Sequence, residues 1–466
     1  MEMGKKEIEQ YQKLILTPIS SLIPKLAVPT VISMMISMIY NMVDAIFVGK
    51  LGTSASASIG ILMSVQAIFQ AIGFMFGHGS GSMISISMGM GQQKEANKTA
   101  SIAFYSAIVF SIVPAMLGLI FLEPLMKMLG STDTILPYAK TYGFYILLCG
   151  PALTLSCILN NIMRYEGKAF YAMIGLVSGG VLNMIGDPIL MFGCKLGIAG
   201  AGLSTAISSY ISLFILGYMF ISGRTITRIK LNFFEWDLDR LFHIIKNGFP
   251  SLIRQSLNSI SSITLNLSAH PYGDAAIAAM AIVGRIVMFV GSAMIGIGQG
   301  FQPVSAFNYG AKKYKRIRQS FKFTFILSEI VLGILAFIAF IFAAPIVREF
   351  RDDAEVIEIG VRALRFQCFA IIVQPLGVIT NMLFQSIGKS KIASFTATLR
   401  SGLYYIPSLI ILPMFLGLTG IECAQTISDT LTALTCLPFA IAFFRTLPKE
   451  NEIVPLDKEY EKAVNA

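Results

Sequence analysis

The chain has 466 residues, of which 55% are hydrophobic and only 13% charged, and its mean hydropathy is +0.70. That balance excludes a soluble globular enzyme of this size and puts the chain in a lipid bilayer. The formal charge of +10 does not call for nucleic acid as a partner. The basic residues come in short blocks between apolar runs, as in KKYKRIRQSFK from Lys312 to Lys322, and read as cytoplasmic loops.

The first 25 residues are charged and lack the small-residue cleavage site that should follow a short apolar core, so no cleaved signal peptide is evident. Glu2 rather than Gly follows Met1, which removes N-myristoylation. Runs of about 20 apolar residues suffice to cross a membrane. The sequence predicts twelve, near 26–49, 57–80, 101–123, 138–162, 170–192, 198–221, 247–269, 276–300, 322–345, 361–384, 394–416 and 421–444. The expected fold is an all-α polytopic membrane protein of two six-helix bundles. It comprises an amino-terminal lobe at 1–221, a cytoplasmic connecting loop at 222–246, a carboxyl-terminal lobe at 247–446 and a cytoplasmic tail at 447–466. An even span count puts both termini on one side. Lys and Arg concentrate at the termini and in the even-to-odd connections, which makes that side cytoplasmic and the protein a multi-pass component of the cell membrane.

The halves repeat. A shift of 221 residues aligns Pro29 with Pro250, Gly52 with Gly273, Gly77 with Gly298, Gly79 with Gly300, Gly89 with Gly310, Pro124 with Pro345, Asn160 with Asn381 and Gly167 with Gly388. A duplicated six-span unit enters twice from the same side. The pseudo-twofold axis is then expected along the membrane normal, an arrangement that supports alternating access to a central cavity.

Span five carries the most unusual stretch, GGVLNMIGDPILMFG from Gly179 to Gly193. An acid within a span is costly and marks a functional site unless it is paired or hydrated. Asn183 and Asp187 stand four residues apart and share a helix face, and Pro188 removes a backbone donor there. Asp44 is the second acid, in span one. Asn41, Asn160, Asn161 and Thr205 are expected around the two acids if spans one, four, five and six pack together. The chemistry expected is a protonation or sodium switch, because burial and mutual repulsion oppose ionisation of both carboxylates and H⁺ or Na⁺ relieves both costs. The plain alternative is a kink cap for Asp187 and an extracellular helix end for Asp44.

The second half offers Gln255, Asn258, Ser262 and Asn266 on span seven, and Gln374, Asn381 and Gln385 on span ten, as cavity-wall residues or as interhelical hydrogen-bonding groups. Arg164 and Glu166, at the cytoplasmic end of span four, suit an inward-side gate or a loop brace; a solvent-facing ion pair is the alternative. His78 is read as a proton relay or a helix cap. The six cysteines, at 149, 157, 194, 368, 423 and 436, have no metal-ligand spacing and are read as packing residues. The signatures of zinc hydrolases, P-loop ATPases and elbow-serine hydrolases are missing, so no cofactor and no enzyme activity are expected.

Four segments, PTVISMMISMIYNMVDAIFVGKLG from Pro29, GHGSGSMISISMGMGQ from Gly77, GGVLNMIGDPILMFGCKLGIAGAGLSTAISS from Gly179 and GIGQGFQPVSAFNYGAKKYKRI from Gly296, together resemble the multidrug and toxic compound extrusion (MATE) family. The resemblance spans residues 15–446 and lies nearest the bacterial MepA and DinF-like exporters. It implies a secondary active antiporter that expels amphipathic, mostly cationic small molecules in exchange for H⁺ or Na⁺, acting as a monomer without nucleic acid. It also assigns ion coupling to Asp44, Asn160, Asn183, Asp187 and Thr205. The NorM-like branch places acids in the second half, where this sequence offers Gln255 and other uncharged residues. A lipid-linked saccharide flippase of the same superfamily and a passive channel are the alternatives.

Overall fold

In hydrocarbon every backbone N–H and C=O must be satisfied within the protein, so apolar runs of this length fold as helices. The computed structural model describes residues 5–448, and no strand occurs among them. Most of the expected tail, residues 449–466, lies outside the described residues. Twelve long helices follow in order, here called spans one to twelve. They are Ile19–Gly49, Thr53–Gly89, Gln93–Ile120, Leu136–Tyr165, Ala169–Gly193, Ile198–Ile221, Leu238–Ala269, Asp274–Gly310, Tyr314–Ile341, Ala354–Ser386, Ser390–Leu416 and Leu418–Thr446.

Ten of these are apolar enough to cross a membrane by length and composition. The other two, spans seven and ten, are long enough but diluted by Arg254, Gln255 and Asn258 and by Arg362, Arg365, Gln374 and Gln385. Span two runs well past its expected end at residue 80, and the serine hydroxyls there are satisfied by carbonyls of the same helix. Ser80 Oγ donates to Phe76 O at 2.6 Å and Ser82 Oγ to Gly79 O at 3.0 Å.

The duplication extends to helix ends and individual bonds. Spans two and eight begin and end 221 residues apart, as do spans three and nine. Gly52 and Gly273 precede spans two and eight with φ of 114° and 88°, a region where a side chain would be strained. Asn160 Nδ2 donates to Ala172 O at 2.8 Å, and Asn381 Nδ2 donates to Ala393 O at 2.7 Å. Both halves also turn equivalent apolar stripes outward: Val109, Val113, Met116 and Ile120 in one, Ile330, Ile334, Phe337 and Ile341 in the other. In water such stripes would drive aggregation; in a bilayer they face lipid.

The compact units do not change at residue 221. Among the described residues, one contains the chain through Lys13 and Ile32–Gly248, and the other contains Leu14–Val31 and the chain from Phe249 onward. The connecting loop and the head of span seven therefore belong with the first six spans, and the head of span one with the last six. Glycines permit both arrangements. A Cβ on Gly79 would lie 2.0 Å from Ile244 O, and one on Gly248 would lie 1.8 Å from Met75 O. In the other unit a Cβ on Gly300 would lie 2.7 Å from Ala27 Cα, and one on Gly296 2.5 Å from Val31 Cγ2. Each unit thus seats a borrowed helix head in a glycine notch, where bare backbones approach closely.

Candidate functional site

The first unit assembles its site where spans one, five and six converge. Span five is α-helical to Pro188 and then makes a π-helical turn, Ile189–Gly193, closed by Cys194 N donating to Ile189 O at 2.8 Å. Such a turn inside a helix re-aims the neighbouring side chains and is frequent at functional sites. Gly186 brings span six against span five at this level, since a Cβ there would meet Ser204 Oγ at 2.5 Å. Gly180 makes room for the Tyr40 ring of span one, with Cδ1 3.0 Å from where its Cβ would lie.

Asp187 is fully buried in this junction. Asn183 Nδ2 donates to Asp187 Oδ1 at 3.2 Å and approaches Ser204 Oγ and Thr205 Oγ1, each at 3.3 Å. Ser204 Oγ in turn donates to Asn183 O at 3.2 Å. The Asp44 carboxyl is a close electrostatic neighbour of Asp187. Asp44 Oδ1 and Asp187 Oδ2 are buried without a hydrogen-bond partner, and neither acid has an ion pair among the described residues. Two carboxyl groups therefore face each other in a low-dielectric setting without a base. Tyr142, buried on span four, lies beside Thr205 and completes the surround.

Asp44, Asn183, Asp187 and Thr205 thus come together, and Asn160 and Asn161 do not join them. The Asn160 amide holds Ala172 O, while Asn161 Nδ2 bonds Cys157 O at 2.7 Å and its oxygen accepts from Arg164. Asn41 is exposed and donates to Ser37 O at 2.7 Å, on its own helix. Sequence reasoning missed Ser204 and Tyr142; the small-residue run GIAGAGLS before Thr205 was the available signal of close helix approach.

In the second unit, Gln255 is half-buried, and Asn258 and Ser262 are exposed. Ser401 Oγ donates to Asn258 Oδ1 at 2.6 Å, and Arg254 Nη1 donates to Asn381 Oδ1 at 3.4 Å. The expectation of an uncharged second half is corrected here. Arg400, on a second π-helical turn at Leu399–Leu403, grips the buried Asp429 of span twelve through Nε–Oδ1 at 2.8 Å and Nη2–Oδ2 at 3.4 Å. Gln425 Nε2 donates to Asp429 Oδ1 at 2.9 Å, and the Gln374 oxygen accepts from Arg400 Nη1 at 3.1 Å. Two charges inside apolar runs were the signal, and their mutual neutralisation is why the membrane tolerates them.

Arg164 and Glu166 are both buried, so they are not a solvent-facing pair. Glu166 braces the connecting loop: its carboxylate accepts Ile226 N at 2.8 Å, Thr227 N at 3.0 Å and the Thr227 hydroxyl. Its carbonyl accepts Gln10 Nε2 of the amino-terminal helix at 2.7 Å. Burial pushes the Glu166 carboxyl up to about 7, against the pull of these donors. The native state therefore holds a proton that the unfolded chain has released from about pH 4.5, so stability falls as pH rises toward and through 7, by at most about 1.4 kcal/mol per pH unit. Thermal unfolding against pH is expected to show this slope in the parent and to lose it in Glu166→Gln. An equal slope in both would assign it elsewhere.

His78 lies inside span two rather than at a cap, with its ring stacked on Phe74 at 5.7 Å and Nδ1 3.4 Å from the Tyr165 hydroxyl. The six cysteines are free; Cys194 is exposed and does not pack as expected.

Duplicated helical bundles of this kind are an architecture that membrane transporters commonly use. The MatE family model matches residues 29–189 and 250–411, once in each half, and the chain belongs to the MatE family. It is 28% identical over 413 residues to a "Multidrug export protein MepA" of Staphylococcus saprophyticus, covering 88% of this chain and 91% of that protein. A protein of the same name from Staphylococcus aureus is 26% identical over 422 residues, covering 90% and 93%. A solved structure described as the outward-facing conformation of a multidrug resistance MATE family transporter shares the fold with a TM-score of 0.90 at 22% identity, covering 96% of this chain and 99% of that one. A transporter of the MOP superfamily from Pyrococcus furiosus does so with a TM-score of 0.89 at 22% identity, covering 96% and 100%.

Proposed function

We propose that the protein is a proton-coupled exporter of amphipathic cations in a bacterial cell membrane, working by alternating access. The reading rests on the contact between Asp44 and Asp187. Two neighbouring buried carboxyl groups without an ion pair accommodate one proton between them, since burial and mutual repulsion oppose charge on both. A proton fits better than Na⁺, because Asn183 turns N–H rather than oxygen toward Asp187 and sodium needs several oxygen ligands. When the proton leaves, the pair becomes the charge that attracts a cationic cargo. The 34 Phe and 24 Met of the chain supply aromatic faces and adaptable thioethers for flat, lipophilic molecules. The names of the MepA relatives support export of this kind.

Proteoliposomes containing the purified chain test the reading. An imposed proton gradient is expected to drive uphill movement of a cationic dye in exchange for protons, while a sodium gradient at fixed pH does not. Sodium-driven movement would replace the proton with Na⁺; lipid scrambling without dye transport, or a gradient-independent current, would replace the exporter with a flippase or a channel.

A further inference from the structure

The connecting loop is pinned along the start of span three by bonds that descend one helix face. Gln93 Nε2 donates to Ile226 O at 3.1 Å, Arg228 N to Asn97 Oδ1 at 2.8 Å and Lys230 N to Ser101 Oγ at 3.2 Å. Tyr105 comes next on that face, with Phe234 edge-on to it at 5.3 Å and Trp236 edge-on to Phe234 at 5.2 Å. Ion pairs hold the far side: Lys98–Glu235 at 2.6 Å and Arg240–Glu95 at 2.5 Å, with Arg240 N on Asp237 Oδ1 at 2.9 Å.

A loop held at so many points nevertheless leaves its large apolar groups uncovered. Leu231, Trp236, Leu238 and Phe242 are 60–70% exposed. Their depth identifies the cover. At about 1.5 Å per residue, the passage from Asn97 to Tyr105 carries the loop about 12 Å toward the bilayer centre, into the apolar run that begins near residue 101. The exposed residues Val109 and Phe110 follow directly below on the same helix. The aromatic cluster therefore stands at the level where hydrocarbon begins, a position that tryptophan and tyrosine favour. Above it the exposed cations Arg228 and Lys230 stand at phosphate height. The nearby acids have partners: Glu235 and Asp237 face Lys98 and Arg240, and Asp239 faces His243.

We infer that the segment Leu231–Phe242 is an interfacial membrane anchor, its apolar side chains inserted into the adjoining phospholipid leaflet and Arg228 and Lys230 meeting lipid phosphates. The anchor requires only a bilayer and holds whatever the cargo or coupling ion.

Trp236 is the single tryptophan of the chain, so emission excited at the red edge, where tyrosine does not absorb, reports on this segment alone. The full chain is reconstituted in phosphatidylcholine nanodiscs with lipids brominated near the glycerol end or near the tail of the acyl chain. Shallow bromines are expected to quench the emission more than deep ones, and aqueous acrylamide to quench it weakly. Leu231→Glu combined with Leu238→Glu, which retains the probe, should lose bromine quenching and gain acrylamide quenching. Strong acrylamide quenching in the parent would overturn the anchor. So would protection from acrylamide without bromine quenching, which means a protein surface covers the segment, or bromine quenching that the double variant leaves unchanged.

Discussion

Asp187→Asn is expected to reduce proton-driven export to the passive leak of protein-free liposomes while leaving yield, helical content and thermal unfolding close to the parent. The substitution keeps shape and removes charge. The amide introduced at this position still presents an oxygen to the side chain of Asn183, which donates to Asp187 Oδ1 at 3.2 Å in the parent, so the junction of spans five and six retains its bond. What disappears is the proton exchange of the Asp44–Asp187 pair. Without it, Asp44 faces an amide donor instead of a second acid, no repulsion ties one carboxyl to the other, and cation release is no longer linked to proton uptake. Dye binding to the detergent-solubilised protein should also lose its dependence on pH. Parental uphill transport by the folded variant would remove Asp187 as the coupling group.

Much of this was legible in the sequence. Hydropathy gives the helices because backbone satisfaction in lipid leaves no alternative, and Asn183, Asp187 and Pro188 declared themselves against an apolar background. The 221-residue shift, read from glycines and prolines, recurs in helix ends and in the Asn160 and Asn381 bonds to Ala172 and Ala393. Side-chain direction was not legible. Asn160 and Asn161 lie on the expected span, yet their amides face backbone carbonyls nearby. No sequence pattern showed that the heads of spans one and seven trade units either, since that depends on which backbone each glycine notch receives. Arg400 and Asp429 were overlooked for a different reason: each sits alone in an apolar run, and only tertiary pairing makes the two a unit.

That pairing yields the second large effect. Asp429 is 1% exposed and Arg400 31% exposed at the side chain, so removing either partner should harm the fold unequally. Breaking a buried pair costs about 3–5 kcal/mol because a charge is left behind. Arg400→Leu is expected near the top of that range, since Asp429 keeps only Gln425 as a neighbour that donates a hydrogen bond to it and cannot reach water. Asp429→Asn is expected near the bottom, because the guanidinium still meets the Gln374 oxygen and some solvent. The combination of Arg400→Leu and Asp429→Leu should recover most of the loss, as apolar replacements of buried pairs often do. Reversible unfolding of the four proteins in detergent gives the pair's coupling directly, through the non-additivity of the single changes. The opposite order, or additive losses, would mean that the two charges do not act as one unit. The same double variant separates the lobes by role. If the second-unit pair only neutralises itself, as its geometry indicates, the double variant should still export at close to the parental rate, whereas the first-unit acids, which have no base to neutralise them, tolerate no such exchange. A stable double variant without transport would instead draw Arg400 and Asp429 into the transport cycle.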